Sequence, residues 1–237
     1  MKNKRHDELN KVWDDVWKND RYSNPQLRIT KAREKVDFFL KHVNIDASMQ
    51  VLDVGCGGGY VANELYNRTG ARIIGLDHSE EAINKARSNL IEKNISFCRG
   101  NALSLPFPDN YADVILNIGV IEHVIDHEKC IKESVRVLKN GGVLFVVSSN
   151  RNSFIFEHRK ICEYFHLWNY GYQKNWDINA LEDLFIQHGF STKCICIGNG
   201  IGDLKLIDKL DRIFTSNPKD VRNRRGRYIY YIGTIKK

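Results

Sequence analysis

The chain has 237 residues, 42% of them hydrophobic, with 36 Lys and Arg against 29 Asp and Glu for a formal net charge of +7. That length and apolar content suffice for the full core of one α/β domain. No run of eighteen apolar residues occurs, and the start MKNKRHDELNK is too polar for the apolar core of a signal peptide, so a cytoplasmic protein without stable membrane insertion is expected. Six cysteines, Cys56, Cys98, Cys130, Cys162, Cys194 and Cys196, include no C-x-x-C pair and read as reduced thiols. Cys194 and Cys196 face one way on a strand but lack further ligands at metal-binding spacing.

In chain order the pattern predicts strands near 50–54, 71–76, 95–99, 112–117 and 142–148, separated by helices near 59–68, 79–93 and 127–139. That alternation implies a parallel sheet with helices on both faces. Ser79 before Glu80, Glu81 and the apolar series Ala82, Ile83, Ala86 and Leu90 reads as an N-capped amphipathic helix. Asn140-Gly141-Gly142 reads as the end of the 127–139 helix. Further on, Asp177 to His188 reads as a helix, Ser191 to Ile197 as a strand, and Arg227 to Lys236 as a last strand alternating through Tyr228, Tyr230 and Ile232.

The most informative stretch is VLDVGCGGG, Val51 to Gly59, in which a strand ends in an acidic residue and runs into glycines. Glycine tolerates positive φ and lets the backbone approach a ligand closely, and a helix from Tyr60 aims its free N–H groups at the same spot. A turn of this type also opens dinucleotide-binding folds with the pattern G-x-G-x-x-G. Here Tyr60 occupies the third glycine's position, and Asp53 would face a dinucleotide's phosphates, so a cationic ligand suits the turn better than a pyrophosphate.

With Asp77 closing RIIGLD, this segment resembles the nucleoside-binding part of the class I S-adenosylmethionine-dependent methyltransferases. GNALSLPFPDNYADVILNIGVIEHV, Gly100 to Val124, is similar to the middle motifs of that family, and LKNGGVLFVVSS, Leu138 to Ser149, to its fifth-strand region. The resemblance covers about Met49 to Ser149 well and Asp177 to Phe190 loosely. Within the family it is nearest in pattern to the ubiquinone- and menaquinone-type small-molecule branch. It implies a Rossmann-like, seven-stranded, mostly parallel sheet with an antiparallel last strand, helices on both faces and a helical insertion after strand 5. It also implies S-adenosylmethionine as cofactor and S-adenosylhomocysteine as product.

The resemblance carries site residues with it. Asp53, Gly55, Cys56, Gly57 and Gly59 form the glycine turn; Asp77 accepts hydrogen bonds from the ribose hydroxyls, with His78 beside it; Asn101 and Ala102 meet the adenine; Asn117 and Ile118 end the fourth strand. Position 101 more often holds Asp in the family, and an amide also bonds an adenine edge. In NIGVIEHV, His123 is the candidate general base, its ordinary pKa of about 6.5 suiting neutral pH, with Glu122 as its candidate partner; a histidine that only orders the loop is the competing reading. Related enzymes with E-x-x-E-H bind a divalent metal there, but Gly119 occupies the first acidic position, so no metal is expected. His127 reads as structural.

The implied organisation is a single methyltransferase domain over 1–237: an N-terminal helical lid (1–45, with Trp13, Trp17 and Tyr22), a cofactor-binding core (46–149), an insertion as candidate acceptor cap (150–176), and a C-terminal helix and strand pair (177–237). The insertion holds Phe154, Phe156, Tyr164, Phe165, Trp168, Tyr170, Tyr172 and Trp176 with His158 and His166, which suits a flat or apolar acceptor; helices packed on the core or a subunit interface fit the same composition. Residues 218–237 hold Lys219, Arg222, Arg224, Arg225, Arg227, Lys236 and Lys237 against Asp220. Such a segment either binds nucleic acid or another anion, or is a solvated loop.

Methyl transfer to a small, aromatic or apolar acceptor at O, N or C is therefore the leading expectation. An RNA-modifying methyltransferase using the basic segment, a non-catalytic S-adenosylmethionine-binding partner protein, and an NAD-dependent oxidoreductase stand as alternatives, and a dimer is compatible with the sequence.

Overall fold

In a computed structural model the structure describes residues 11–19, 24–89, 94–165, 167–168, 170–198 and 226–237. Tyr22, Leu90, His166 and the basic residues 219–225 lie outside the described residues. Residues 11–18 form helix α1, followed by α2 (Pro25–Leu40), β1 (Gln50–Val54), α3 (Tyr60–Thr69), β2 (Arg72–Asp77), α4 (Glu80–Asn89), β3 (Ile95–Arg99) and β4 (Ala112–Ile118). Then come α5 (His127–Val137), β5 (Leu138–Ser149), α6 (Phe154–Tyr164), α7 (Ile178–Gln187), β6 (Phe190–Gly198) and β7 (Tyr228–Ile235). The strands form one seven-stranded sheet in the order β3-β2-β1-β4-β5-β7-β6. β7 runs antiparallel to both of its neighbours, and the other strand pairs among the described residues are parallel.

The central strands are apolar on both faces because helices cover both, and their period of two sorts side chains between two cores. Leu52, Ile115, Leu144 and Val146 pack with Ile131 of α5 and Leu181 and Phe185 of α7. Val51, Val114, Leu116 and Phe145 pack with Val36 and Phe39 of α2, Leu65 of α3 and Ile83 of α4. The range expected to be a lid thus contains a core helix: α2 starts on an Asn24 cap with Pro25 at its first turn and buries Ala32, Val36 and Phe39.

The Ser79 cap is present, its hydroxyl accepting from Ala82 N–H at 3.2 Å. The glycine-rich stop is not where the sequence puts it. α5 ends at Val137, Leu138 is extended, and Asn140-Gly141-Gly142 lies within β5. Two bonds, from Asn110 N–H to Arg136 O and from Tyr111 N–H to Val137 O, satisfy the last helical carbonyls, so no glycine cap is needed. The glycines serve instead a register shift against β4, where Ala112 faces Leu138 but Val114 faces Val143 and Gly141 sits at φ +78°.

The order reverses between β1 and β4, so the crevice beyond their carboxyl ends is open to a ligand. Among the described residues no helix is long and apolar enough to cross a membrane.

Phe145 ties α2 to the sheet, stacking on Phe39 with ring centroids 4.8 Å apart. Phe145→Ala should cost about 3–5 kcal/mol of stability, read as a lower urea midpoint; a midpoint within error of the parent would mean that α2 is not part of the folding unit.

Candidate active site

The glycine turn is held from below and from the side. Gly55 and Cys56 donate their N–H groups to Leu76 O at 2.6 and 3.0 Å, and Gly57 N–H donates to the Asp77 carboxylate at 2.9 Å. The second Asp77 oxygen accepts from Ser79 N–H at 2.9 Å. Gly55 has φ +74°, and a Cβ there would lie 2.1 Å from Val120 Cγ2, so only glycine lets the β1 turn pass the β4 turn. A Cβ on Gly57, at φ +52°, would lie 2.6 Å from the Trp17 ring.

Helix α1 is pinned over this turn. Ser79 Oγ donates to Asp14 at 2.6 Å, and Lys85 Nζ donates to Trp17 O at 2.7 Å. Trp13 and Trp17, one helical turn apart, both line the cavity beneath α1.

That cavity, of about 650 Å³, runs from the glycine turn to the insertion. It brings together Asp53, Gly55, Cys56, Gly57, Asp77, His78, Asn101, Ala102, Ile118, Glu122 and His123 of the residues expected from sequence. Asn101 is exposed at its edge, with its amide oxygen taken by Leu103 N–H at 2.9 Å. Two expected residues do not line it. Asn117 is buried, accepting from Ile121 N–H at 3.0 Å and donating to Cys130 Sγ at 3.8 Å, so it shapes the turn after β4 from within. Gly59 sits at φ +78° as the N-cap of α3, and Gly58 lines the cavity in its vicinity.

Asp53 is 2% exposed, and its Oδ2 has no hydrogen-bond partner within the protein. Burial, reinforced by the Asp77 charge and opposed by Ala62 N–H, raises its carboxyl to about 7. Burial raises Asp77 as well, against the N–H groups of Ser79, Gly57 and His78 that favour its charged form. A buried carboxylate with an unused oxygen is costly, and an ammonium group beside it would remove that cost.

At the other end His123 packs edge-on against Trp13, ring centroids 4.7 Å apart, and its Nδ1 lies 2.9 Å from Tyr172 O. A carbonyl only accepts, so Nδ1 carries the proton and Nε2 is the lone-pair nitrogen of the neutral ring. Glu122 is not its hydrogen-bond partner in this arrangement. It is buried, accepting from Ser148 Oγ at 3.0 Å and Ser149 Oγ at 3.3 Å. His127 stands apart, its ring against Trp176 at 4.9 Å, and burial with the nearby Lys174 charge lowers it to about 4.

From the insertion, His158, Trp168 and Tyr170 reach the cavity, whereas Tyr164 and Phe165 are exposed and Trp176 is buried in the core. Arg28, Lys31 and Lys35 of α2 line the cavity without having been singled out from sequence, and Arg227, grouped there with a basic segment that either binds an anion or is solvated, is 7% exposed and lines the cavity as well. The 28, 31, 35 spacing was a readable signal for one helix face. Nothing local revealed what that face meets.

Residues 52–146 match the family described as methyltransferase domain. A probable S-adenosylmethionine-dependent methyltransferase of Mycolicibacterium smegmatis is 40% identical over 108 residues, 46% of this chain and 41% of that protein. The sterol 24-C-methyltransferase of Aspergillus fumigatus is 39% identical over 122 residues, 49% of this chain and 32% of that protein. The matched stretch therefore spans less than half of either relative. A methyltransferase solved in complex with the Trm112 methyltransferase activator from Haloferax volcanii shares the fold, with a TM-score of 0.73 at 20% identity over 94% of this chain and 97% of that one. Over these residues the chain is similar to the class I S-adenosylmethionine-dependent methyltransferases. S-adenosylmethionine is the cofactor of that class, and the unused Asp53 oxygen, the glycine turn free of Cβ atoms and the Asp77 carboxylate fit its ammonium and ribose groups.

Because a bound ammonium favours the ionised form, cofactor binding should lower the Asp53 pKa from its raised value, release a proton below about pH 7, and tighten as pH rises toward about 7, levelling off above it. Calorimetry of S-adenosylhomocysteine binding in buffers of different ionisation enthalpy checks this. A pH-independent affinity with no proton release would refute the role of Asp53.

Proposed function

We propose that this protein transfers a methyl group from S-adenosylmethionine to a small-molecule acceptor with a flat or apolar body. One observation carries the reading. A single cavity is lined by Asp53 and Asp77, by His123 and by the rings of Trp168, Tyr170 and Tyr228, with Trp13 of α1 against both His123 and Tyr170. Its volume suits small-molecule sites, which span about 300–1,000 Å³, and its roof of α1 favours a compact acceptor over an RNA strand.

The cofactor supplies an electrophilic methyl group on a sulfonium sulfur, so the protein mainly has to position and desolvate a nucleophile. Trp13, Trp17 and Tyr170 exclude water from above. His123 Nε2 takes up the proton when the acceptor's nucleophile is an O–H or N–H. Tyr172 O holds the imidazole in the tautomer that can do so. The domain organisation follows: α1 as a wall over the cofactor, 46–149 as the binding core, 150–176 as the acceptor cap, and 177–237 as the helix and strand pair that complete the sheet.

Incubation of host extract with methyl-labelled S-adenosylmethionine should place label in the organic-soluble small-molecule fraction, with Asp77→Ala as the blank. Nuclease-sensitive label would instead support the RNA-modifying reading. With the acceptor in hand, His123→Gln should lower kcat by about 10²-fold or more while leaving S-adenosylhomocysteine affinity unchanged; an unaltered kcat would make the ring a wall of the cavity only.

A further inference from the structure

Arg159 of α6 has a side chain only 11% exposed and does not itself line the cavity. Its guanidinium meets three partners at once. Two of its nitrogens pair with the Glu163 carboxylate at 2.7 and 2.6 Å, and the third donates to Gln173 O at 2.7 Å. Its carbon stands over the Trp168 ring, 5.0 Å from the centroid. A planar fork of five donors can serve a carboxylate, a carbonyl and a ring face together, which a lysine ammonium cannot.

Gln173 belongs to a run, 172–176, that is fastened to the turn after β4 and to the end of β5. Lys174 N–H donates to Glu122 O at 2.7 Å, Gln173 Nε2 to Ser149 Oγ at 2.7 Å, and Trp176 N–H to Ser149 O at 3.0 Å. The same run supplies Tyr172 O, which accepts from His123 Nδ1 at 2.9 Å. On its other side Arg159 meets a row of rings: Trp168 lies 5.0 Å from Tyr170, Tyr170 6.4 Å from Trp13, and Trp13 4.7 Å from His123. The contacts thus close on themselves through His123, and Trp13, His123, Trp168 and Tyr170 all line the cavity. Arg159 couples the aromatic wall to the run that holds the imidazole.

We propose that Arg159 is a positioning residue for the methyl-transfer reaction: it sets the Trp168 wall and, through Gln173, the Tyr172 carbonyl that leaves His123 Nε2 free to take a proton. The inference rests on the methyl-transfer reading, which gives His123 that role. Without the guanidinium, Gln173 O and the Trp168 face lose their shared partner and the Tyr172 carbonyl is no longer held in register with His123. An imidazole in water favours the proton on Nε2, so a proton on Nδ1 is the signature of the Tyr172 contact.

Long-range proton–nitrogen NMR of the full chain with isotope-labelled histidine, at a pH where the imidazoles are neutral, reads that tautomer; the peak lost in His123→Gln assigns it. The parent should show His123 with its proton on Nδ1. Arg159→Met and Arg159→Lys should both move it toward Nε2, because lysine keeps a charge for Glu163 but not the fork. Methyl-label transfer into the organic-soluble fraction of host extract should fall by about tenfold or more in both, with S-adenosylhomocysteine affinity kept. Retention of the parent tautomer in Arg159→Met would overturn the inference, since Arg159 would then only pack α6. So would a proton on Nε2 in the parent, full rescue by Arg159→Lys, or a shifted tautomer with unchanged transfer. Should Arg159→Met fail to fold, Arg159→Lys decides alone. Loss of the methyl-transfer reading registers separately, as a parent whose tautomer depends on Arg159 but which transfers no label.

Discussion

The Asp77 carboxylate takes one hydrogen bond from Gly57 N–H in the glycine turn and one from Ser79 N–H at the start of α4, and the cavity's geometry depends on that pair. Ser79 in turn caps α4 and holds Asp14 of α1 through the same hydroxyl. Three segments far apart in sequence are thus fixed around one side chain. A charged acceptor makes such bonds about twice as strong as neutral ones, which helps to hold a turn whose Gly55 and Gly57 lie in the left-handed region. The same carboxylate lines the cavity, so on the proposed reading the group that sets the turn also meets the cofactor's ribose.

Charges of both signs line the cavity. The buried acids at the glycine turn create a demand for positive charge, because a buried charge costs free energy unless it is paired. Arg28, Lys31 and Lys35 of α2, Arg227 and His123 line the same cavity.

Much of the sheet was legible because its signals are local. β1, β3 and β4 follow from short apolar runs, and the Ser79 cap from a serine ahead of two glutamates. Gly141 and Gly142 misled because glycine serves a helix stop and a strand irregularity equally well, and the choice was made by Asn110 and Tyr111 bonding the carbonyls at the end of α5. In the site, the motif residues that depend on backbone position, Gly55, Cys56, Gly57 and Ala102, lie on the cavity as the motif implies. Asn117 does not, since its orientation follows from the partners Ile121 and Cys130, which no spacing rule reveals. That α2 and Arg227 line one cavity was invisible for a simpler reason: residues 28 and 227 are brought to it only when the sheet has formed.

β7 lies between β5 and β6, antiparallel to both, so in the sheet order β6 is joined to the rest only through it. Until β7 docks, β5 presents an unpaired apolar edge, the kind of surface on which chains aggregate. Strands β3, β2, β1, β4 and β5 pair in parallel without it. Arg227 and Tyr228 come with β7 and line the cavity, so the strand that closes the sheet also completes the cavity wall. A molecule in which β7 has not docked would lack both the join to β6 and that part of the cavity wall.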